Sequence, residues 1–260
     1  MNPQPHSLRR RLACVALGAL AIHGPGTAGP ATGKPRLLMV NTVYPPFVNP
    51  AGNAAGEGLD VEIAREALAR AGYDMELALV PWRRALLMLE HGEADLISTI
   101  SRRDDRDKYL DWSVPYRLGA DYRFYSRRGT TRPLRHLDDL KGQTLGVVAG
   151  FHYPPPILHS GAKLYEGRDV QMLVKMLHAR RIEHLVATGI AGAWEIRSLG
   201  LDESMERQPL VYKSDSPNYL AVARSRPGAM AALPALSKAL EAMRADGSLR
   251  RLEQRYRVGD

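Results

Sequence analysis

Short apolar runs of strand length alternate with longer amphipathic stretches of helical length along most of this chain. Residues 36–40 (Arg-Leu-Leu-Met-Val) read as a buried strand. Residues 59–71 read as a helix, with Ile63, Ala67 and Ala71 on one face and Gly72 as a stop. Strand 75–80, helix 83–91 closed by Gly92, and strand 94–100 come next. The alternation resumes after Lys141-Gly142 with strand 144–149, helix 170–178, strand 185–187 and helix 190–199. Such alternation points to parallel pairing in an α/β fold. Two units, 36–116 and 142–212, imply two sheets.

The remaining segments decide how the units join. Residues 119–128 are polar and aromatic and read as a crossover. Strand 219–223 and helices 227–245 and 248–256 have no sheet of their own, so they are expected to pack back on the first unit. The expected organisation is a first lobe from 36–117 and 219–260, a second lobe from 122–213, and a ligand cleft between them. Tyr44-Pro45-Pro46-Phe47 is expected to be an extended loop, because each proline biases its predecessor away from helix.

The N-terminus reads as a separate export segment. Arg9, Arg10 and Arg11 precede an apolar run of 11 residues, 12–22, and small residues come after it. That order is a secretory signal peptide over residues 1–28, cut after Ala28. The apolar run is short for a membrane anchor. Arg11 stands where a lipoprotein signal wants an aliphatic residue before Cys14, and the arginine run fits a twin-arginine signal only loosely. Cys14 is the only cysteine, so the mature chain is expected to carry no disulfide and no thiol chemistry. Without residues 1–28, 33 basic residues face 28 acidic ones, and the net charge falls from +8 to +5. That excess suits an anionic small molecule and is too weak to point to nucleic acid. No histidine pair has zinc-helix spacing, and Gly146 and Gly150 form no dinucleotide or phosphate-loop fingerprint, so neither metal nor cofactor is expected.

A carboxylate is best held by a guanidinium fork plus neutral donors. Arg106, with Ser101 and Thr99 just upstream at the end of the third strand, offers that set where open sheets bind ligands. Taken alone, Arg106 reads first as part of a solvated charged face, since residues 102–107 are all Arg or Asp.

In order along the chain, Tyr44-Pro45-Pro46-Phe47, Gly58-Leu59-Asp60-Val61-Glu62-Ile63 and Trp82 with Gly92-Glu93-Ala94-Asp95 give way to Arg106 with Asp111-Trp112-Ser113-Val114-Pro115-Tyr116. Leu137-Asp138-Asp139-Leu140-Lys141-Gly142, Leu145-Gly146-Val147 and Ala245-Asp246-Gly247-Ser248-Leu249 complete the series. This succession resembles the family 3 extracellular solute-binding proteins, the polar-amino-acid-binding type serving ABC importers. The resemblance implies a type II periplasmic binding protein fold, a monomer, a periplasmic location, a small-molecule ligand and a membrane permease as partner. It implies that Arg106, Ser101 and Thr99 grip a ligand carboxylate, and that Tyr44 and Trp82 flank the ligand with aromatic faces.

The second lobe departs from that pattern. Where the family places a small hydroxyl residue after the glycine ending strand 144–149, Gly150 is followed by Phe151-His152-Tyr153 and three prolines. His152 is a candidate donor to an anion or a packing residue against the prolines. The family's acid for an amino acid's ammonium falls on Thr188, which cannot neutralise a charge. An unpaired buried ammonium is costly, so an ordinary α-amino acid is in doubt, and the expected ligand is a small carboxylate, an amino acid in a different binding pose or a related acid without the α-amino group. An enzymatic alternative, a cyclohexadienyl dehydratase-like lyase, would use His152, Glu183 and His184 as acid–base groups. A sensory module is a third class, for which no kinase-like segment is found.

Overall fold

The computed structural model describes residues 33–130 and 132–256. The expected export segment, with Cys14 and the expected cut after Ala28, lies outside the described residues.

Residues 36–118 supply β1 (Arg36–Asn41), α1 (Leu59–Arg70), β2 (Asp74–Leu79), α2 (Trp82–Glu90), β3 (Leu96–Ile100), β4 (Leu110–Trp112) and β5 (Arg117–Leu118). The chain then forms β6 (Tyr122–Arg127), β7 (Thr144–Val148), α3 (Pro155–Leu158), β8 (Lys163–Gly167), α4 (Val170–His178), β9 (His184–Thr188), α5 (Gly189–Ser198) and β10 (Met205–Tyr212). It closes with β11 (Pro217–Ala223), α6 (Pro227–Ala245) and α7 (Ser248–Arg255). One sheet runs β2-β1-β3-β11-β4, with β5 also on β11, and the other runs β10-β6-β9-β7-β8. The chain passes between the sheets at 119–121 and again at 213–216.

The sheets are mixed rather than parallel. β1 pairs parallel with β2 and β3, and β7 with β8 and β9. β11 returns antiparallel on β3 and β4, while β6 is antiparallel to both β9 and β10. The expected crossover 119–128 is therefore corrected: only its first residues cross, and Tyr122–Arg127 is an inner strand. Aromatic side chains fill a pleated, half-buried surface well. Tyr122, Phe124 and Tyr125 are buried, and the buried Ser126 hydroxyl is satisfied by His184 Nδ1 at 2.7 Å. β8 gives little sign of itself in the sequence, because as an edge strand it leaves Lys163 and Leu164 exposed and shows no apolar alternation.

The helices bury the faces their spacing predicts. α1 buries Leu59, Ile63, Ala67 and Leu68, and α4 buries Val170, Leu173, Val174 and Leu177. Asp169 caps α4 by accepting from the Met172 amide at 2.7 Å. At α1 a turn does the capping. Residues 44–47 are not extended: the Phe47 and Val48 amides both donate to the Tyr44 carbonyl at 3.0 Å. The Pro46 and Phe47 carbonyls, aimed forward by that turn, accept from the Leu59 and Asp60 amides at 2.9 Å. Gly58 permits this approach: its φ is +110°, and a Cβ there would sit 2.5 Å from the Phe47 carbonyl oxygen. The turn thus fixes Tyr44 and Asp60 relative to one another.

Candidate functional site

All seven residues singled out from the sequence (Tyr44, Trp82, Thr99, Ser101, Arg106, His152 and Thr188) line one cleft between the two sheets. The first five come from the β1–α1 turn, the start of α2, the end of β3 and the segment after it. His152 and Thr188 come from beyond β7 and from the end of β9. These are the carboxyl ends of strands that pair parallel, where an open α/β sheet leaves a crevice.

Arg106 is not a surface residue. It is 2% exposed, while its neighbours Arg102, Asp104 and Asp105 stand out in solvent. Its Nη1 donates to the Ser101 carbonyl at 2.8 Å, and its Nη2 crosses the cleft to the Gly150 carbonyl at 2.8 Å. Its Nε is buried without a hydrogen-bond partner. Among the described residues, no carboxylate forms an ion pair or hydrogen bond with it, and Asp105 acts on it only as a minor charge. Burial, aided by the Arg103 charge, pulls its pKa down to about 10. A cation held this way gains strongly from an incoming anion.

Thr99 has φ +57°, a conformation that β-branched residues rarely adopt. The Tyr116 hydroxyl holds it there by accepting from the Thr99 amide at 3.0 Å. Such strain persists where the surroundings over-determine it, commonly at ligand clamps. Beside it Asn41 donates to the Ser98 carbonyl at 3.1 Å and to the Ser98 hydroxyl at 2.9 Å.

The far wall meets the near one directly. Trp82 Nε1 donates to the Gly150 carbonyl at 2.9 Å. The Tyr44 and Thr188 hydroxyls share a hydrogen bond of 2.7 Å. Burial raises the Tyr44 pKa, and the Thr188 bond only partly offsets it. Between the two aromatics lies Phe151, edge-on to Tyr44 at 5.4 Å and to Trp82 at 5.3 Å between centroids. His152 has its ring nitrogen Nε2 3.3 Å from the Ser216 hydroxyl. Burial, and after it the Arg106 and Arg103 charges, lowers its pKa. The space left in the cleft is a cavity of about 70 Å³.

Sequence reading missed three features of this cleft. The first is Arg117, whose side chain is 5% exposed and forks onto the fully buried Asp60 at 2.7 and 2.5 Å. Burial alone would lower its pKa, but the Asp60 charge and hydrogen bonds raise it overall. The signal was available, since the acid of the Gly-Leu-Asp-Val-Glu-Ile motif, if buried, requires a cation. The second is Asn218 on β11, whose place on the wall depends on the antiparallel return of that strand. The third is the depth to which Phe151 reaches. Among the described residues lining the cleft there are two arginines, one histidine and no carboxylate. The acid–base trio of the enzymatic alternative does not come together. Glu183 caps the Thr144 amide at 2.6 Å in an exposed position, and His184 is bound to Ser126 within the second sheet.

Two α/β lobes joined by two crossovers, with a polar cleft between them, define the type II periplasmic binding protein fold. A solved structure of an ancestral arginine-binding protein bound to arginine shares it, with a TM-score of 0.73 at 21% identity over 85% of this chain and 97% of that one. Residues 37–259 match the bacterial extracellular solute-binding proteins, family 3, and the chain belongs to that family. Its relatives include the arginine-binding extracellular protein ArtP of Bacillus subtilis (strain 168), 31% identical over 140 residues, 53% of each chain. A probable histidine-binding protein of Neisseria gonorrhoeae is 29% identical over 187 residues, 68% of each chain. The chain spans about half the length of ArtP in that match.

Proposed function

We propose that this protein is a non-enzymatic, monomeric periplasmic binder that captures a small carboxylate-bearing metabolite and passes it to the permease of an ABC importer. The lobes, 36–117 with 219–260 and 122–213, close on the ligand by a hinge motion at the crossovers. Arg106 carries this reading. It is a buried, unneutralised guanidinium on the cleft wall with an unpartnered Nε, and its Nη2 rests on a backbone carbonyl that a stronger acceptor can replace. A ligand carboxylate takes Nε and Nη2 as a fork, with Ser101 and Thr99 beside it and Tyr44 and Trp82 flanking it. His152 donates from the second lobe.

The names of the relatives point to amino acids. The cleft favours the acid end of such a ligand over its amine. With no carboxylate on the wall, an ammonium meets only neutral acceptors, Thr188 and Tyr44. The ligand is therefore an amino-acid-related acid that lacks the α-ammonium or holds it outside this pocket.

A thermal-shift screen of small carboxylates, amino acids and polyamines tests this. A carboxylate at 100-fold above its Kd is expected to raise the midpoint by about 5–10 °C, and Arg106→Ala is expected to abolish the shift. An equal shift in Arg106→Ala, or none from any carboxylate, contradicts the assignment. Turnover of a cyclohexadienyl acid would overturn the non-enzymatic reading.

A further inference from the structure

We propose that Phe151 sets the length of ligand that the cleft accepts, by filling the slot between Tyr44 and Trp82 with the protein's own ring. The inference rests on carboxylate capture at Arg106 and adds the shape of the ligand beyond its carboxylate: a short chain, with no side chain between the two aromatics.

Three observations place the ring there. First, the backbone ahead of it is pinned. Gly150 has φ +78°, a conformation open to glycine, and its carbonyl accepts from both Trp82 Nε1 and Arg106 Nη2. Second, the backbone behind it is pinned as well. The Tyr122 hydroxyl donates to the His152 carbonyl at 2.7 Å, and the buried Tyr153 hydroxyl accepts from the Val148 amide at 2.9 Å. A ligand carboxylate would replace only the Arg106 bond; the bonds from Trp82, Tyr122 and Tyr153 remain, and Phe151 cannot leave the slot by a swing of the loop without breaking them. Third, the ring meets both aromatics edge-on, at 86° to Tyr44 and 76° to Trp82, an arrangement that aromatic pairs favour. The space that remains is about 70 Å³. Pockets that take drug-sized ligands run to roughly 300–1,000 Å³. The same face of the cleft that provides two aromatic walls thus has its interior already occupied.

The test is calorimetric titration of the full chain with the straight-chain monocarboxylates acetate, propionate, butyrate and hexanoate, in wild type, Phe151→Ala and Phe151→Leu. Wild type is expected to bind the shorter acids and to lose about tenfold or more at hexanoate. In Phe151→Ala the preference is expected to reverse, with hexanoate gaining about tenfold or more over wild type, and Phe151→Leu falls between. Phe151→Leu retains apolar bulk and carries the test if the alanine variant melts early. Parallel length profiles in all three proteins overturn the inference while leaving carboxylate capture standing. So does a uniform change at every length, which would mark Phe151 as a closure contact only. If no acid of any length binds any of the three, carboxylate capture itself has failed and this inference falls with it.

Discussion

The two walls of the cleft are built on different principles. The wall from the first sheet is charged and deeply anchored: Arg106 and Arg117 both lie buried within it, and Arg117 is matched by the buried Asp60. The wall from the second sheet is neutral and shaped. It includes Tyr122, Phe151, His152 and Thr188. The ion pairs of the second lobe sit on its surface, as in Arg168–Asp169, where the arginine side chain is 74% exposed. Under the proposed function, the contrast gives affinity for charge to one wall and choice of ligand shape to the other.

The first way to break that contrast is to remove Asp60. Asp60→Ala leaves the Arg117 guanidinium buried and uncompensated, which costs about 3–5 kcal/mol of folding stability. Arg168→Ala in the second lobe is expected to change it by less than about 1 kcal/mol. Urea unfolding of the two variants checks both, and equal losses would erase the distinction between the lobes.

Thr188→Asp sharpens it from the other side. A carboxylate at the end of β9 supplies the missing partner for an ammonium. Affinity for α-amino acids relative to their amine-free analogues is expected to rise about tenfold, read by competition titration. An unchanged ratio would mean that Thr188 does not face the ligand.

The smallest effect concerns pH. His152 and His184, both in the second lobe, are held below the ordinary histidine value by burial first. The unfolded chain therefore binds more protons than the folded one as pH falls through about 6.5 and below. The thermal midpoint of the ligand-free protein is expected to fall between about pH 7 and pH 5, with His152→Asn flattening part of the slope. An unchanged slope in His152→Asn would contradict the shift assigned to His152.

Much of this contrast was legible in the sequence. Motifs that bind through local geometry were readable because a few consecutive residues set it. Gly58 before Asp60 is one, and Arg106 after the third strand is another. The helical face of 59–70 was readable from its spacing, and Ile63 and Ala67 are buried on it. β6 was missed because its aromatic and polar residues carry no apolar alternation, and its burial depends on partners 58 to 90 residues away. Arg117 escaped for the same reason, since its partner lies 57 positions earlier. Phe151 is legible as bulk after Gly150, but only the pinned turn shows that the bulk enters the aromatic slot.

In the proposed function, ligand capture turns on one exchange, in which Arg106 trades the Gly150 carbonyl for a ligand carboxylate. A crystal structure of the protein with a bound short-chain carboxylate tests it most directly. Both ligand oxygens are expected at about 2.7–2.9 Å from Nε and Nη2 of Arg106, with the Gly150 carbonyl released from the guanidinium. A carboxylate bound elsewhere in the cleft, with Arg106 still holding Gly150, would contradict it.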